Sequence, residues 1–202
     1  MLKLGDSWTN YPLHFHELES NDTELIFEDD RVQVSTIPLV HRVYTNGFLF
    51  QGKPFPRKLD IEAAKSHDID ASQFNNIKAG KNGITADGQE VPNSALTHDP
   101  PLPKSYAFCS DTKYSERIIS IIKGVDVLYH ESTFLESEAH LCERTKHATA
   151  KQAATIAQKS EVGQLILGHF STRYKNLNLF KEEAQEIFRA TELADDGKHF
   201  EF

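Results

Sequence analysis

The sequence predicts an α/β protein whose polar residues lie at the carboxyl ends of buried strands. Residues 105–202 alternate between short apolar runs and longer helical segments, a pattern typical of a layered α/β sheet. Four apolar runs each end at a residue that can bind a metal. The runs at 35–40, 106–109, 125–129 and 165–167 lead to His41, Asp111, His130 with Glu131, and His169. We expect these strand ends to converge on one site; the alternative is four separate residues with local hydrogen bonds.

The elements follow in three zones. The first, residues 1–50, predicts a loop over 1–22 and strands over 23–28 and 32–38, joined by a turn at Asp29-Asp30. The second, residues 51–104, has little apolar periodicity, one helix over 61–66, and prolines at 100–103 that exclude regular structure. The third predicts strands over 105–109, 125–129, 164–167 and 198–202, and helices over 114–123, 149–159 and 179–190. Thr149 is a suitable N-cap, and the alanines after it favour a helix.

Size and composition limit the possible functions. At 202 residues and 39% hydrophobic, the chain can form one core or one core with an appendage. Its formal charge of −8 excludes a bulk attraction to nucleic acid, so RNA binding would need a local patch. Residues 53–81 carry a small local surplus of +2, for which an ordinary solvated surface is the favoured explanation. The two cysteines make no disulfide framework, and neither a signal peptide nor a long apolar segment is apparent. We therefore expect a soluble, cytoplasmic protein.

The strand ends carry the residue types of a metal site. A carboxylate such as Asp111 can bridge two cations, although a helix N-cap would also explain it. His41 and His169 supply the imidazoles that zinc prefers, although a lone histidine is more often structural. A site with two metal ions holds them about 3.5–4 Å apart, which requires several such ligands together.

Three further residues suit catalysis and phosphate binding. His147 precedes a predicted helix, where it needs a carboxylate partner to stay protonated, and Glu131 is available for this. Such a pair suits a general acid that protonates a leaving oxygen. Arg173 lies four residues after His169, and its planar guanidinium can bind a phosphate through two parallel N–H groups.

Five motifs in register resemble the ribonuclease Z family, the tRNA 3′-end endonucleases of the metallo-β-lactamase superfamily. They are HRV (41–43), FCSDT (108–112), LYHESTF (128–134), KHATAKQAA (146–154) and LGHFSTRY (167–174). Residues 76–80 and Asp87-Gly88 are similar to the end of the family's protruding tRNA-binding arm. The resemblance covers nearly the whole chain. It implies the C-terminal half of an αββα sandwich with an arm at 51–90, all within a single incomplete domain of residues 1–202.

The resemblance also implies roles for individual residues. His41 resembles the ligand of a first zinc ion, His169 that of a second, and Asp111 the carboxylate that bridges them. His147 resembles the proton donor to the leaving oxygen and Glu131 its partner. Ser171 and Arg173 fall where the family contacts the scissile phosphate, and Lys78 and Lys81 lie in the tRNA-binding arm. The implied reaction is attack by a metal-bound hydroxide on a phosphodiester of precursor tRNA, which releases the 3′ trailer, in an enzyme that is a homodimer.

The family signature His-x-His-x-Asp-His, which supplies most zinc ligands and the general base, is absent from this sequence. His14-Phe15-His16 imitates its beginning without the Asp-His that follows, so we expect neither histidine to be a ligand. Ala71-Ser72 replaces a frequent Gly-Pro of the arm, and Ala148 replaces a common Ser. We therefore expect a C-terminal portion of such an enzyme that alone binds zinc weakly or not at all, does not cleave tRNA, and self-associates through exposed apolar surface.

Two other functions remain open at this stage. The chain could be a non-catalytic RNA-binding module, in which the strand-end residues are structural. It could also belong to another phosphodiesterase of the same superfamily that acts on small cyclic nucleotides, although such a substrate needs no arm.

Overall fold

The computed structural model describes residues 10–202, and the first nine residues of the predicted N-terminal loop lie outside the described residues. Its strands are β1 (Leu25–Glu28), β2 (Val32–Pro38), β3 (Asn46–Gly52), β4 (Lys58–Leu59), β5 (Gly83–Ile84), β6 (Glu90–Val91), β7 (Thr97–His98), β8 (Ser105–Cys109), β9 (Val127–Glu131), β10 (Gln164–Gly168) and β11 (Thr191–Leu193). Its α-helices are α1 (Ile61–Ser66), α2 (Phe74–Lys78), α3 (Asn93–Leu96), α4 (Cys142–Thr145), α5 (Ala150–Lys159) and α6 (Asn178–Gln185). Short 3₁₀ segments occupy Ala71–Gln73, Glu116–Ile118 and Glu136–Leu141.

A seven-stranded mixed sheet organises the molecule in the order β1-β2-β3-β8-β9-β10-β11. The first four strands pair antiparallel, whereas β8, β9, β10 and β11 pair parallel. The parallel half therefore aligns the carboxyl ends of β8, β9 and β10 at one edge. This confirms the α/β class and places the strand ends named from the sequence side by side.

The main core lies between one face of this sheet and the helices α5 and α6. Ile37, Leu49 and Leu165 of the sheet pack with Ala154 of α5 and Phe180 of α6. The buried side of helix α5 consists mainly of alanines, whose small side chains allow the helix to lie close to the sheet. In residues 10–202 no helix is long and apolar enough to cross a membrane.

The middle zone has more structure than its weak periodicity suggests. Its short elements enclose a separate hydrophobic cluster of Leu59, Ala64, Ile69, Ile77, Val91 and Leu96. The helix over 61–66 is confirmed, and the side chain of Asp60 caps it by accepting from the N–H of Ala63 at 2.9 Å. The large sheet takes up the start of this zone, because β3 continues to Gly52. The remaining elements form a compact unit that begins at β4 and ends at His98 of β7, which pairs with β4. The sequence predicted an arm over 51–90, and from here on the arm means this compact unit, residues 58–98.

Two element predictions of the third zone were wrong, and one predicted helix ends earlier than expected. The helix over 114–123 is only the 3₁₀ segment Glu116–Ile118 with turns, because its run of β-branched isoleucines disfavours a helix while Ile118 and Ile122 enter the core. The helix over 179–190 stops at Gln185, and the last strand is Thr191–Leu193, which pairs with β10. Residues 198–202 form no strand, and in the described chain the sheet ends at β11, where Lys198 contacts Glu192 and the Leu193 carbonyl through its side chain alone.

Candidate metal and proton-transfer site

The candidate site lies at the edge where the parallel strands end. Asp111 follows β8, Glu131 ends β9, and His169 follows β10. Asp111 and His169 adopt left-handed backbone conformations, with φ of 56° and 57°, and Lys146 before His147 does so at 63°. The left-handed conformation is uncommon in non-glycine residues and is enriched at functional sites, and in this chain Asp68 and Glu161 also adopt it in turns.

The structure brings together the four residues predicted as ligands or proton donor. The Nε2 atom of His169 lies 3.3 Å from Oδ1 of Asp111. The ring centroids of His41 and His147 lie 5.1 Å apart, and those of His147 and His169 lie 5.2 Å apart. Potential ligand atoms of His41, Asp111 and His147 all fall within 4.8 Å of one another, and so do those of Glu131, His147 and His169.

Each of the three imidazoles is held through its Nδ1 atom. Nδ1 of His41 lies 3.1 Å from the carbonyl oxygen of Lys146, which can only accept, so Nδ1 donates. Nδ1 of His147 lies 2.8 Å from Oε1 of Glu131, and Nδ1 of His169 lies 2.9 Å from Oγ1 of Thr133. With Nδ1 so occupied, the lone pair of Nε2 in neutral His41 and His169 is available to a cation. Together with the Asp111 carboxylate, this donor set fits zinc.

Glu131 is the centre of the hydrogen-bond network. Its carboxylate is fully buried and accepts from the N–H groups of Thr112 at 2.7 Å, Thr133 at 3.3 Å and Ala148 at 3.2 Å. It also accepts from the hydroxyl of Thr133 at 2.6 Å and from His147. Burial raises the pKa of Glu131, but the hydrogen bonds from His147 and Thr133 outweigh it and hold the pKa below its ordinary value. Glu131 therefore carries a charge that favours protonated His147.

His147 responds to this charge. Its hydrogen bond to Glu131 raises its pKa above the ordinary histidine value, against the opposing effect of partial burial. His130, by contrast, points into the core: burial lowers its pKa, and its Nε2 has no hydrogen-bond partner in the described chain. Of the two polar residues at the end of β9, His130 and Glu131, only Glu131 therefore pairs with His147.

Thr133 and Thr112 were not singled out from the sequence. Thr133 connects Glu131 with His169, and the N–H of Thr112 binds Glu131. The Ser-Thr pair directly after Glu131 was the available signal, because hydroxyls beside a buried carboxylate usually satisfy it.

The predicted phosphate residues lie together beyond His169. Nε of Arg173 is 3.2 Å from Oγ of Ser171, and its guanidinium lies 5.1 Å from the ring centroid of Phe134. Its Nη1 atom is also 3.4 Å from a carboxylate oxygen of Glu138. The guanidinium is thus half exposed, lies over an aromatic ring and forms an ion pair with Glu138.

The remaining predicted residues lie apart from this site. Lys78 and Lys81 are exposed on the arm, and Lys78 lines a surface cavity of about 520 Å³ together with Phe55 and Arg57. His14 and His16 are exposed and belong to none of the possible metal-binding groups of the described residues.

Comparisons with known proteins agree with this architecture. No family model matches the chain. The chain is 41% identical to the ribonuclease Z of Bacteroides thetaiotaomicron over 187 residues, which are 93% of this chain and 59% of that protein. It is 41% identical to the ribonuclease Z of Cytophaga hutchinsonii, over 98% of this chain and 64% of that protein. The chain therefore spans about three-fifths of the length of these curated relatives.

Solved structures show the same fold. A metallo-β-lactamase fold protein from Bacillus subtilis matches with a TM-score of 0.56 at 12% identity, over 87% of this chain and 51% of that chain. A long form RNase Z from yeast matches with a TM-score of 0.53 at 17% identity, over 83% of this chain and 17% of that chain. The sheet and helices described above are thus part of a metallo-β-lactamase fold.

Proposed function

From the homology of this chain to ribonuclease Z, we propose that it supplies the C-terminal portion of a zinc-dependent endoribonuclease that removes 3′ trailers from precursor tRNA. The main support is the identity of 41% over 93% of the chain to a curated ribonuclease Z. The Glu131–His147 pair, with its 2.8 Å hydrogen bond beside His41, Asp111 and His169, supports a hydrolytic site in particular.

In this proposal His41, Asp111 and His169 hold zinc. When bound, zinc supplies a Lewis acid and an activated water for phosphodiester hydrolysis. Because their Nδ1 atoms are engaged by Lys146 and Thr133, the two histidines can offer only Nε2 to the metal. The ring orientations are therefore set before the metal arrives.

The other site residues bind the substrate and move a proton. His147 donates a proton from Nε2 to the leaving oxygen, and Glu131 holds it protonated through Nδ1. Ser171 and Arg173 hold the scissile phosphate, since a guanidinium stacked on Phe134 is already oriented for an anion. Lys78 and Lys81 of the arm contact the tRNA backbone, which compensates locally for the charge of −8.

The chain alone is proposed to be inactive. Three ligands cannot hold two zinc ions with the affinity that a hydrolase needs. The complete enzyme is proposed to be a cytoplasmic homodimer. Stoichiometric zinc in the purified chain, together with trailer cleavage of a precursor tRNA, would contradict the proposed inactivity.

A chimera tests the function itself. This chain would replace the matching part of the Bacteroides thetaiotaomicron ribonuclease Z, and we expect the chimera to cleave the trailer. Asp111→Ala should abolish cleavage with tRNA binding retained, whereas the control Asp30→Ala, in an exposed turn, should leave both unchanged. Undiminished cleavage by Asp111→Ala would instead favour a non-catalytic RNA-binding module.

A further inference from the structure

Two segments of the chain carry the proton-transfer pair and run side by side away from the site. They are residues 131–136 and residues 147–151, and each has its member of the pair at its first position. The N–H of Phe134 donates to the carbonyl of Ala148 at 3.2 Å, and the N–H of Ala150 donates to the carbonyl of Phe134 at 3.0 Å. Hydrogen-bonded segments of this kind couple positions along their length, so the spacing at one end affects the spacing at the other.

Glu183 of helix α6 joins the far ends of these two segments. Its two carboxylate oxygens accept from the N–H of Glu136 at 3.1 and 3.0 Å, and Oε1 also accepts from the N–H of Lys151 at 3.3 Å. The hydroxyl of Thr149 adds a link, since it donates to Oε2 of Glu136 at 2.9 Å. One side chain from a third element therefore holds the backbones of both segments together.

The charge of Glu183 is not explained by stability. Burial raises its pKa above the ordinary glutamate value, although the N–H groups of Glu136 and Lys151 oppose this effect. A carboxyl group whose pKa is raised on folding is disfavoured in its ionised form, so its charge lowers the free energy of unfolding at neutral pH. Carboxyl groups with such raised pKa values are concentrated at functional sites.

The predicted phosphate residues are attached to α6 by a different contact. Phe180 is fully buried, and its ring lies with centroids 4.9 Å from those of both Phe170 and Tyr174. These two aromatic residues enclose residues 171–173, which include both predicted phosphate ligands. Loss of the Glu183 carboxylate should therefore disturb the proton-transfer pair more than the phosphate-binding loop.

We propose that Glu183 is a positioning residue for proton transfer, which sets the geometry of the Glu131–His147 hydrogen bond by holding the N–H groups of Glu136 and Lys151. This inference rests on the proposed function, in which His147 protonates the leaving oxygen. The 2.8 Å bond of the pair lies at one end of the two segments, and Glu183 lies at the other. Without this carboxylate the segments can separate, and a proton donor that is misplaced by about 1 Å loses much of its effect.

The imidazole signals of the chain itself test the positioning directly. Nuclear magnetic resonance resolves the ring nitrogens of each histidine through its carbon-bound protons, and the Nδ1 resonance of His147 reports its bond to Glu131. Glu183→Ala should shift this resonance and leave those of His98 on the arm unchanged. Glu182→Ala is the matched control, because Glu182 is the neighbouring residue of the same helix and is exposed, and it should shift neither.

The chimera extends the test to catalysis. Glu183→Ala should lower kcat by about 10–10²-fold, the scale of a misplacement of about 1 Å, with KM unchanged because Phe180 still holds the phosphate-binding loop. Where His147 is already replaced by alanine, the same change should lower kcat no further, since Glu183 acts through that imidazole. Glu182→Ala should leave kcat and KM unchanged.

The outcomes separate positioning from a structural role and from the proposed function. An unshifted His147 resonance in a folded Glu183→Ala chain, or equal kcat values for Glu183→Ala and Glu182→Ala, would overturn the proposal. Equal losses of kcat with and without His147 would overturn it too. Glu183→Gln keeps one acceptor oxygen, should give a smaller shift, and is the test variant if Glu183→Ala does not fold.

Failure of the proposed function would be recognised separately. An unaltered chimera that does not cleave precursor tRNA would remove the proposed function. A shifted His147 resonance in Glu183→Ala would still show that Glu183 positions the pair.

Discussion

Glu131 illustrates how a single buried carboxylate organises the candidate site. Its five hydrogen bonds come from three segments: the loop after β8, the end of β9, and the segment before α5. A buried charge is tolerated only when it is satisfied in this way. Because these segments also carry Asp111 and His147, the carboxylate aligns a candidate ligand with the candidate proton donor.

Loss of the His147 imidazole should slow cleavage by removing the proposed general acid. In the chimera described above, His147→Ala should lower kcat by about 10²–10⁴-fold, the usual contribution of a general acid. His140→Ala, at an exposed position, is the control and should leave kcat unchanged. Steady-state cleavage of precursor tRNA measures kcat, and single-turnover cleavage shows whether the chemical step itself is slowed. A normal kcat for His147→Ala would assign proton transfer to another group.

The second prediction concerns Gly168. Gly168→Ala should destabilise the chain by about 1–3 kcal/mol, the cost of overpacking, because its Cβ would meet the phenol of Tyr129. Urea denaturation of the chain itself measures this. In a Tyr129→Ala background, which lacks the ring, Gly168→Ala should lower the free energy of unfolding by less than it does in the unaltered chain. An equal cost in both backgrounds would show that the ring is not the obstacle.

Helices and strands were predicted correctly from the sequence where local contacts determine them, and incorrectly where contacts with distant parts of the chain do. The helix over 61–66 and the strand over 105–109 were predicted with their observed bounds, because a local cap and a local apolar run determine them. The isoleucine-rich 114–123 was mistaken for a helix since its backbone geometry follows from core packing rather than propensity. The segment 198–202 was mistaken for a strand because its alternating pattern does not reveal whether a neighbouring strand is present.

The sequence predicted which polar side chains of the site lie near one another, but not the groups that hold them in place. Strand ends identified Asp111, Glu131 and His169 as neighbours, since parallel strands place their carboxyl ends together. The roles of Thr133 and of the Lys146 carbonyl were not predictable. They depend on backbone positions such as the left-handed Lys146, at φ of 63°, which no local sequence pattern specifies.

The N-terminus of helix α5 is stabilised by a pair of reciprocal hydrogen bonds. Thr149 accepts from the N–H of Gln152, and the Gln152 side chain accepts from the N–H of Thr149, which together form a capping box. Thr149→Ala should lower the free energy of unfolding by about 1–2 kcal/mol, because it removes the cap of the helix that follows His147. Thr155→Ala within the same helix is the control and should cost less. Equal effects in urea denaturation would contradict a specific role for the cap.

At the scale of the whole molecule, two hydrophobic clusters divide the chain. The main cluster includes Cys109 and packs the sheet against α5 and α6, whereas the arm has its own cluster around Leu96. Sequence patterns alone could not reveal this division, because the arm is made of elements of two to six residues that show almost no periodicity.

Separate clusters predict separate unfolding of the arm. Leu96 is fully buried, so Leu96→Ala should destabilise the arm by about 2–5 kcal/mol, the usual cost of such a cavity. Amide exchange in residues 58–98 should then accelerate while the main sheet stays protected. Cys109 reports on the main core, since burial raises the pKa of its thiol to about 12 and keeps it unreactive toward thiol reagents. Parallel loss of protection in the arm and at Cys109 would mean that the two clusters unfold as one cooperative unit.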